Sequence, residues 1–342
     1  MTYQFAEVVH WFKNPSKIIL PASVDIDLTN ICDQDCYYCN SADFRKENPA
    51  QQKKSDYISL LDKLTTWRSH SPNSYGTLHT VTYPGGGEPT LLKGYENVLE
   101  HTIDLGFLTS ITTNGSRLDK LINNVHPDKI RKMGWIGVDI DAGSQELYEK
   151  IRKSIAKESI FNRVVDHIKQ LTAMKANVDI KILLGEYNHD LPALHDIFNL
   201  AKNLNVRQIY FRPVLSKEGI VFPIHELVPT LEKLSKEYHV KIMYNLSKVQ
   251  PRNYTRCHQM FQFPVFCADG YIYTCCENKG NPRFRLGSWL EGDFRDIWLG
   301  QRHMEIYNTT NTKLCAPCRS NNHNNATQEI LDNPEKLETL YY

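Results

Sequence analysis

From Ser23 to Pro213 the chain alternates short β-rich runs with amphipathic helical stretches, and this alternation limits its fold more than any other feature. The runs Ser23–Leu28, Leu78–Tyr83, Leu108–Thr113, Trp135–Ile140, Val178–Leu184 and Gln208–Arg212 read as strands. Between them, Tyr57–Arg68, Tyr95–Leu105, Ile160–Met174 and Leu191–Leu204 carry apolar residues at helical spacing. Such alternation needs crossover helices and therefore parallel strands. Six units of this kind predict an α/β chain folded as a partial (β/α)6 barrel over residues 23–215. The pattern speaks to fold class and not to barrel closure. In parallel α/β folds the chemistry gathers at the carboxyl ends of the strands.

Residues 1–22 form an N-terminal extension, and after Pro213 the rhythm changes. Over 216–250 a helix (His225–Tyr238) and a short strand (Val240–Tyr244) connect to a cysteine-rich region at 251–325. There Phe263–Cys276 reads as a hairpin about Asp269-Gly270, a turn pair suited to positive φ. Trp289–Leu299 is short and amphipathic, and Thr327–Leu340, within 326–342, reads as a terminal helix. No repeat or low-complexity linker separates the two regions, so the second is expected to pack on the first.

The formal net charge of +1 gives no basic field for nucleic acid. No apolar run approaches the roughly 18 residues of a membrane span. The N-terminus lacks the apolar core and cleavage site of a signal peptide. These readings predict a cytoplasmic protein with neither nucleic acid nor membrane as partner. Nine cysteines in a reducing compartment favour metal ligation over disulfides.

Cys32, Cys36 and Cys39 follow the first predicted strand with the spacing C-x3-C-x2-C. Three thiolates on one tight loop can ligate three irons of a cubane and leave the fourth open. The alternative is a zinc site, which usually needs four ligands in two pairs. With Tyr38 just before the last cysteine, the motif resembles the signature of the radical S-adenosylmethionine (SAM) superfamily. Gly85-Gly86-Gly87-Glu88-Pro89-Thr90, one βα unit later, resembles that family's G-G-E-P motif. Glycines at a strand end admit close backbone approach, and the Glu88 carboxylate can accept from a cofactor ammonium.

The resemblance continues over roughly residues 23–213. Asn114, in Thr113-Asn114-Gly115, ends the third strand where relatives place polar contacts to the cofactor. Val138-Asp139-Ile140-Asp141-Ala142 resembles a segment written S-[IL]-D-[GA], with Asp139 in place of the serine. Arg152 matches an arginine that relatives set on the cofactor carboxylate. Each of these is equally compatible with an ordinary surface or turn role. The resemblance implies a [4Fe-4S] cluster whose open iron binds SAM, with Tyr38, Gly86, Gly87, Glu88, Asn114, Asp139 and Arg152 around the cofactor. It also implies a 5′-deoxyadenosyl radical that removes hydrogen from substrate, and an electron donor such as flavodoxin or ferredoxin.

Cys257, Gly270 and Cys275 fit C-x(9–15)-G-x4-C, and Cys315-x2-Cys318 follows. This resembles the SPASM and twitch auxiliary-cluster extensions, in the shorter twitch form because the middle C-x2-C-x5-C-x3-C block is missing. The resemblance implies one auxiliary [4Fe-4S] cluster on Cys257, Cys275, Cys315 and Cys318, suited to handling an electron. Structural zinc is the alternative. Cys267 and Cys276 read as small buried residues, with Cys276 able to compete with Cys275. His258 reads as surface, Phe261, Phe263 and Phe266 as core, and Arg212 as either an anchor for an anionic substrate group or a solvated strand end. An extension of 22 residues is short for the leader-recognition domain of many peptide-modifying relatives. The expected reaction is therefore oxidation or epimerisation of a small, carbohydrate-like substrate, with peptide or protein maturation as the alternative. A non-catalytic iron–sulfur or zinc protein is the rival from another class.

Overall fold

The computed structural model describes residues 2–333 and 335, except 70, 156–158 and 217, and of residues 2–6 the backbone only. Seven parallel strands run in chain order: β1 (Ser23–Ile26), β2 (Thr80–Tyr83), β3 (Leu108–Thr113), β4 (Trp135–Asp139), β5 (Val178–Leu184), β6 (Gln208–Pro213) and β7 (Ile242–Tyr244). Three more follow: β8 (Val265–Phe266), β9 (Tyr271–Tyr273) and β10 (Arg285–Ser288). The sheet order is β10-β9-β8-β1-β2-β3-β4-β5-β6-β7, and among the described residues no pairing joins β10 to β7. The result is an open partial barrel.

Its strands are parallel because helices intervene. Lys54–Leu64, Tyr95–Asp104, Phe161–Ala173 and Leu191–Asn203 are the helices the spacing predicts. The last starts where Asp190 accepts a hydrogen bond from the Ala193 amide, with Pro192 in the first turn. It buries Ala193, Leu194, Ile197, Phe198 and Ala201, the stripe expected of one apolar face. Strands covered on both faces are buried almost throughout, as β3 and β5 are.

Several expectations change in detail. Val240–Tyr244 narrows to β7, which does more than connect: it pairs in parallel with β6 as a seventh barrel strand. The hairpin forms, with Gly270 at φ 88° in its turn, and β8 lies parallel to β1 through Val265↔Asp25 and Phe266↔Ile26. The cysteine-rich region therefore extends the barrel sheet at the edge opposite β7. The N-terminal extension holds the helix Thr2–Lys13, and Ile18–Ile19 pairs with Ser74–Tyr75. Only Phe294–Ile297 of the Trp289–Leu299 segment is helical. The last described helix is Asn321–Asp332; residues 334 and 336–342 of the expected terminal helix lie outside the described residues.

Candidate active site

The loop after β1 carries Cys32, Cys36 and Cys39 and is stitched to the glycine run after β2. The Gly87 amide donates to Thr29 O at 2.8 Å and the Glu88 amide to Ile31 O at 2.8 Å. A Cβ on Gly87 would stand 2.5 Å from the Ile31 carbonyl carbon and closer still to its oxygen. A Cβ on Gly86 would stand 2.6 Å from Asn30 Oδ1. Glycine is needed here because two backbones touch. Gly85 takes φ 81° and turns the chain into this contact.

A cavity of about 420 Å³ opens at the carboxyl ends of the strands. Cys32, Cys36 and Cys39 all lie on its wall, as do Tyr38, Gly86, Gly87, Glu88, Asn114, Asp139 and Arg152. The polar residues among them are engaged with other groups of the chain, and several of these contacts position the cysteine loop. Glu88, fully buried, accepts at Oε1 from the Thr90 amide, the Thr90 hydroxyl and the Thr113 hydroxyl, and at Oε2 from the Asn114 amide at 2.7 Å. Within the chain, Glu88 ties the end of β2 to the end of β3, with Oε1 taking three of the four donors and Oε2 one. Burial nonetheless pushes its pKa up against those hydrogen bonds.

Asn114 Nδ2 donates to Asp33 Oδ1 at 2.7 Å, and the Ser116 hydroxyl to Asp33 Oδ2 at 2.9 Å, pinning the loop from β3. Arg152 pins it from the other side. Its Nε donates to Gln34 Oε1 at 2.9 Å and its Nη1 to Asp141 Oδ2 at 2.6 Å. The Tyr38 hydroxyl donates to the same Asp141 oxygen, and the Leu183 amide to the other at 2.6 Å. Asp141 sits at φ 57°, a left-handed turn that aims its carboxylate into this network. Arg152 thus balances a buried carboxylate of the chain. Asp139 pairs with Lys181 Nζ at 3.2 Å.

Lys181 escapes sequence reasoning, although a lysine inside the buried run Val178–Leu184 is itself a signal. Its ammonium is almost wholly buried and donates to the Thr112 hydroxyl at 3.1 Å. Burial holds its pKa down at about 8, against the pull of Asp139. Other charges on the cavity wall come from the cysteine-rich region. Lys279 crosses to Asp27 Oδ2 at 2.6 Å and to Gly85 O at 3.3 Å, while Arg319 reaches Asp25 at 3.0 Å.

Cys257, Cys275, Cys315 and Cys318 share the wall of a second, small cavity with Arg252, Tyr254 and Asn278. The two leftover cysteines are not on that wall, although the Cys276 thiol is hydrogen-bonded to Cys275. Cys276 lines the large cavity, and Cys267 is fully buried beside Asp27. His258, expected at the surface, is buried instead, within reach of Gln328 at 3.1 Å and Tyr307 at 3.3 Å. Phe261 and Phe266 are core.

Both thiol sets suit iron–sulfur chemistry by their donors. Amide groups already point at sulfur in the second set: Asn324 Nδ2 at Cys257 (3.7 Å), Asn278 Nδ2 at Cys275 (3.4 Å) and the Ser320 amide at Cys318 (3.3 Å). Such hydrogen bonds support cluster thiolates. In the first set Arg45 Nη2 lies 3.6 Å from Cys39 Sγ. As free thiols, Cys32 is pushed up to about 11 and Cys36 to about 12, chiefly by burial, so their ionised forms require a cation. Among the described residues no group of three or more His, Cys, Asp or Glu side chains stands arranged to hold a metal ion. Each thiol set shares a cavity wall without converging on a common point.

The Radical SAM superfamily profile matches residues 26–197, just over half of the 342. The chain is similar to a probable GTP 3′,8-cyclase of Sulfurisphaera tokodaii, 26% identical over 289 residues, covering 79% of this chain and 85% of the relative. It is also similar to a serine-type anaerobic sulfatase-maturating enzyme of Bacteroides thetaiotaomicron, 26% identical over 200 residues, covering 55% of this chain and 44% of that one. In fold it resembles Streptococcus suis SuiB bound to the precursor peptide SuiA, with TM-score 0.66 at 14% identity, covering 89% of this chain and 69% of that one. Among the described residues no helix is long and apolar enough to cross a membrane.

Proposed function

The chain belongs to the radical SAM superfamily, whose cofactors are a [4Fe-4S] cluster and SAM, and from that premise we propose that it removes a hydrogen atom from a carbon of a small polar substrate held in the 420 Å³ cavity. In this reading Cys32, Cys36 and Cys39 hold the cluster, and Cys257, Cys275, Cys315 and Cys318 hold an auxiliary one. Bound there, cluster and SAM supply a 5′-deoxyadenosyl radical, and the auxiliary cluster handles an electron.

The observation that carries the proposal is that one cavity is lined by the cysteine loop, the glycine run and a set of charged side chains. Gly86 and Gly87 let the glycine run pack directly against the cysteine loop on the cavity wall where the methionyl group would lie. Asp141, Arg152 and Gln34 hold the cysteine loop rigid, so little reorganisation is needed when SAM arrives. On the wall of the same cavity, Asp139 and Asp25 can accept from substrate hydroxyls while Lys181 and Arg319 hold them in place. A charged wall suits a sugar-like or nucleotide-like substrate better than an apolar one. GTP, named for the cyclase relatives, belongs to that class by size and polarity. The second reading is a residue of a peptide or protein, favoured by the sulfatase-maturating relative. The proposal also includes a reducing, cytoplasmic setting and a flavodoxin- or ferredoxin-type electron donor.

The test is isotopic. Reconstituted protein, SAM and a reductant are incubated with deuterated sugars or cyclitols, GTP, or peptides. Deuterium in 5′-deoxyadenosine identifies the class from which hydrogen is taken. Transfer from a small polar compound is expected. Transfer from peptides alone replaces the leading reading with the second, and no deoxyadenosine from any mixture rejects both.

A further inference from the structure

Around the large cavity nearly every cation on the wall away from the cysteine loop has a carboxylate. Lys181 has Asp139 at 3.2 Å, Arg319 has Asp25 at 3.0 Å, and Lys248 has Glu277 at 3.9 Å. Lys279 reaches behind the wall to Asp27 at 2.6 Å. Arg212 is the exception. Among the described residues it forms no ion pair and donates no hydrogen bond, and its guanidinium carbon lies 5.8 Å from the centre of the Tyr210 ring.

Its direction follows from the strand period. On β6, Ile209 and Phe211 are fully buried beneath the helices, while Tyr210 and Arg212 line the cavity. Arg212 is half-buried and flanked by more positive charge. The buried Lys181 ammonium feels Arg212 and, more weakly, Arg319 as repulsive charges, after the larger effects of burial and of Asp139. An arginine beside two further cations, with no acceptor among the described residues, has five N–H donors to offer a ligand.

We propose that Arg212, with Lys181 and Arg319 beside it, is an anion subsite of the reaction cavity that takes a carboxylate or phosphate group of the substrate. The subsite deepens the reading of a small polar substrate and rests on it. Arg212 supplies the planar fork that matches either oxyanion. Lys181 and Arg319 supply charge while staying tethered to Asp139 and Asp25. The anion fixes one end of the substrate in the cavity that the cysteine loop also lines.

The test is a calorimetric titration of the reconstituted, SAM-saturated protein with two probes in separate arms, pyrophosphate and succinate. Saturation with SAM keeps the probes from reading the cofactor's own carboxylate site. Wild type is expected to bind one of the two, and Arg212→Met to weaken that binding about tenfold to a hundredfold, the loss of a charge-assisted pair. Arg212→Lys, which keeps the charge without the fork, should fall between them, and it carries the test if Arg212→Met does not fold. Binding of pyrophosphate alone assigns a phosphate-bearing substrate, and of succinate alone a carboxylate-bearing one. No binding of either probe to wild type, or equal binding to wild type and folded variants, overturns the subsite. Deoxyadenosine formation is measured on the same samples. Arg212-dependent anion binding without it would reject the radical-enzyme reading and leave the subsite, whereas deoxyadenosine without anion binding would do the opposite.

Discussion

Replacing Gly87 by alanine adds one methyl group at the point where the glycine run meets the cysteine loop. That methyl carbon would stand 2.5 Å from Ile31 C and 2.7 Å from Asn30 C. Both are backbone atoms, so no side-chain rotation relieves the clash and the loop itself must move. Overpacking of this kind costs about 1–3 kcal/mol. Moving the loop also strains the two backbone hydrogen bonds that join it to Gly87 and Glu88, each 2.8 Å long. Those contribute about 0.5–1.5 kcal/mol apiece, so the total destabilisation is about 2–6 kcal/mol. Urea unfolding of the cluster-free protein measures it. With a slope of about 1–3 kcal/mol per molar, the midpoint should fall by about 1 M or more. Iron taken up on reconstitution should fall with it, because Cys32 lies one residue beyond Ile31. A variant with the wild-type midpoint and full iron would refute the contact as the reason for glycine here.

Cys275→Ser should lose about half the iron, whereas Cys276→Ser should keep all of it, because only Cys275 faces the small cavity; iron counts after reconstitution decide between them. Lys279→Met leaves Asp27 buried without its cation and should destabilise by about 3–5 kcal/mol, read as a fall in thermal midpoint; an unchanged midpoint would contradict a strong Lys279–Asp27 pair. Lys181 titrates at about 8 in the folded chain and at about 10.4 when unfolded, so the unfolded state binds more protons between those values. Its buried charge is therefore a cost at pH 7 that is relieved as the pH climbs through that window. Wild-type stability should rise from pH 8 to 10 relative to Lys181→Met, and urea midpoints that keep a constant difference would count against the assignment.

What the sequence made legible was local. The six predicted barrel strands are found because parallel strands covered on both faces read as apolar runs, and the helix from Leu191 announces itself through Asp190 and Pro192. β7 was read only as a connector because it is a short edge strand without full burial, and nothing in Ile242–Tyr244 tells which neighbour it joins. Likewise β8 meets β1 across some 240 residues, a pairing with no local trace. The first cysteine motif was legible because its spacing lies within a single loop, and the second because its C-x(9–15)-G-x4-C and C-x2-C spacings are each local. The partners Asp139–Lys181 and Asp25–Arg319 were not, since sheet neighbours and distant loops bring them together. Glu88 was legible from the glycine run, but its contacts to Thr90, Thr113 and Asn114, which tie β2 to β3, were not.

The central claim is that Cys32, Cys36 and Cys39 hold a cluster that cleaves SAM in the large cavity. Anaerobic reconstitution, iron and sulfide counts, and 5′-deoxyadenosine formed with SAM and dithionite test it together. About eight irons per chain are expected for two four-iron clusters, with deoxyadenosine formed by wild type and abolished in Cys32→Ala. Bound zinc with no deoxyadenosine, or undiminished cleavage in Cys32→Ala, would contradict it.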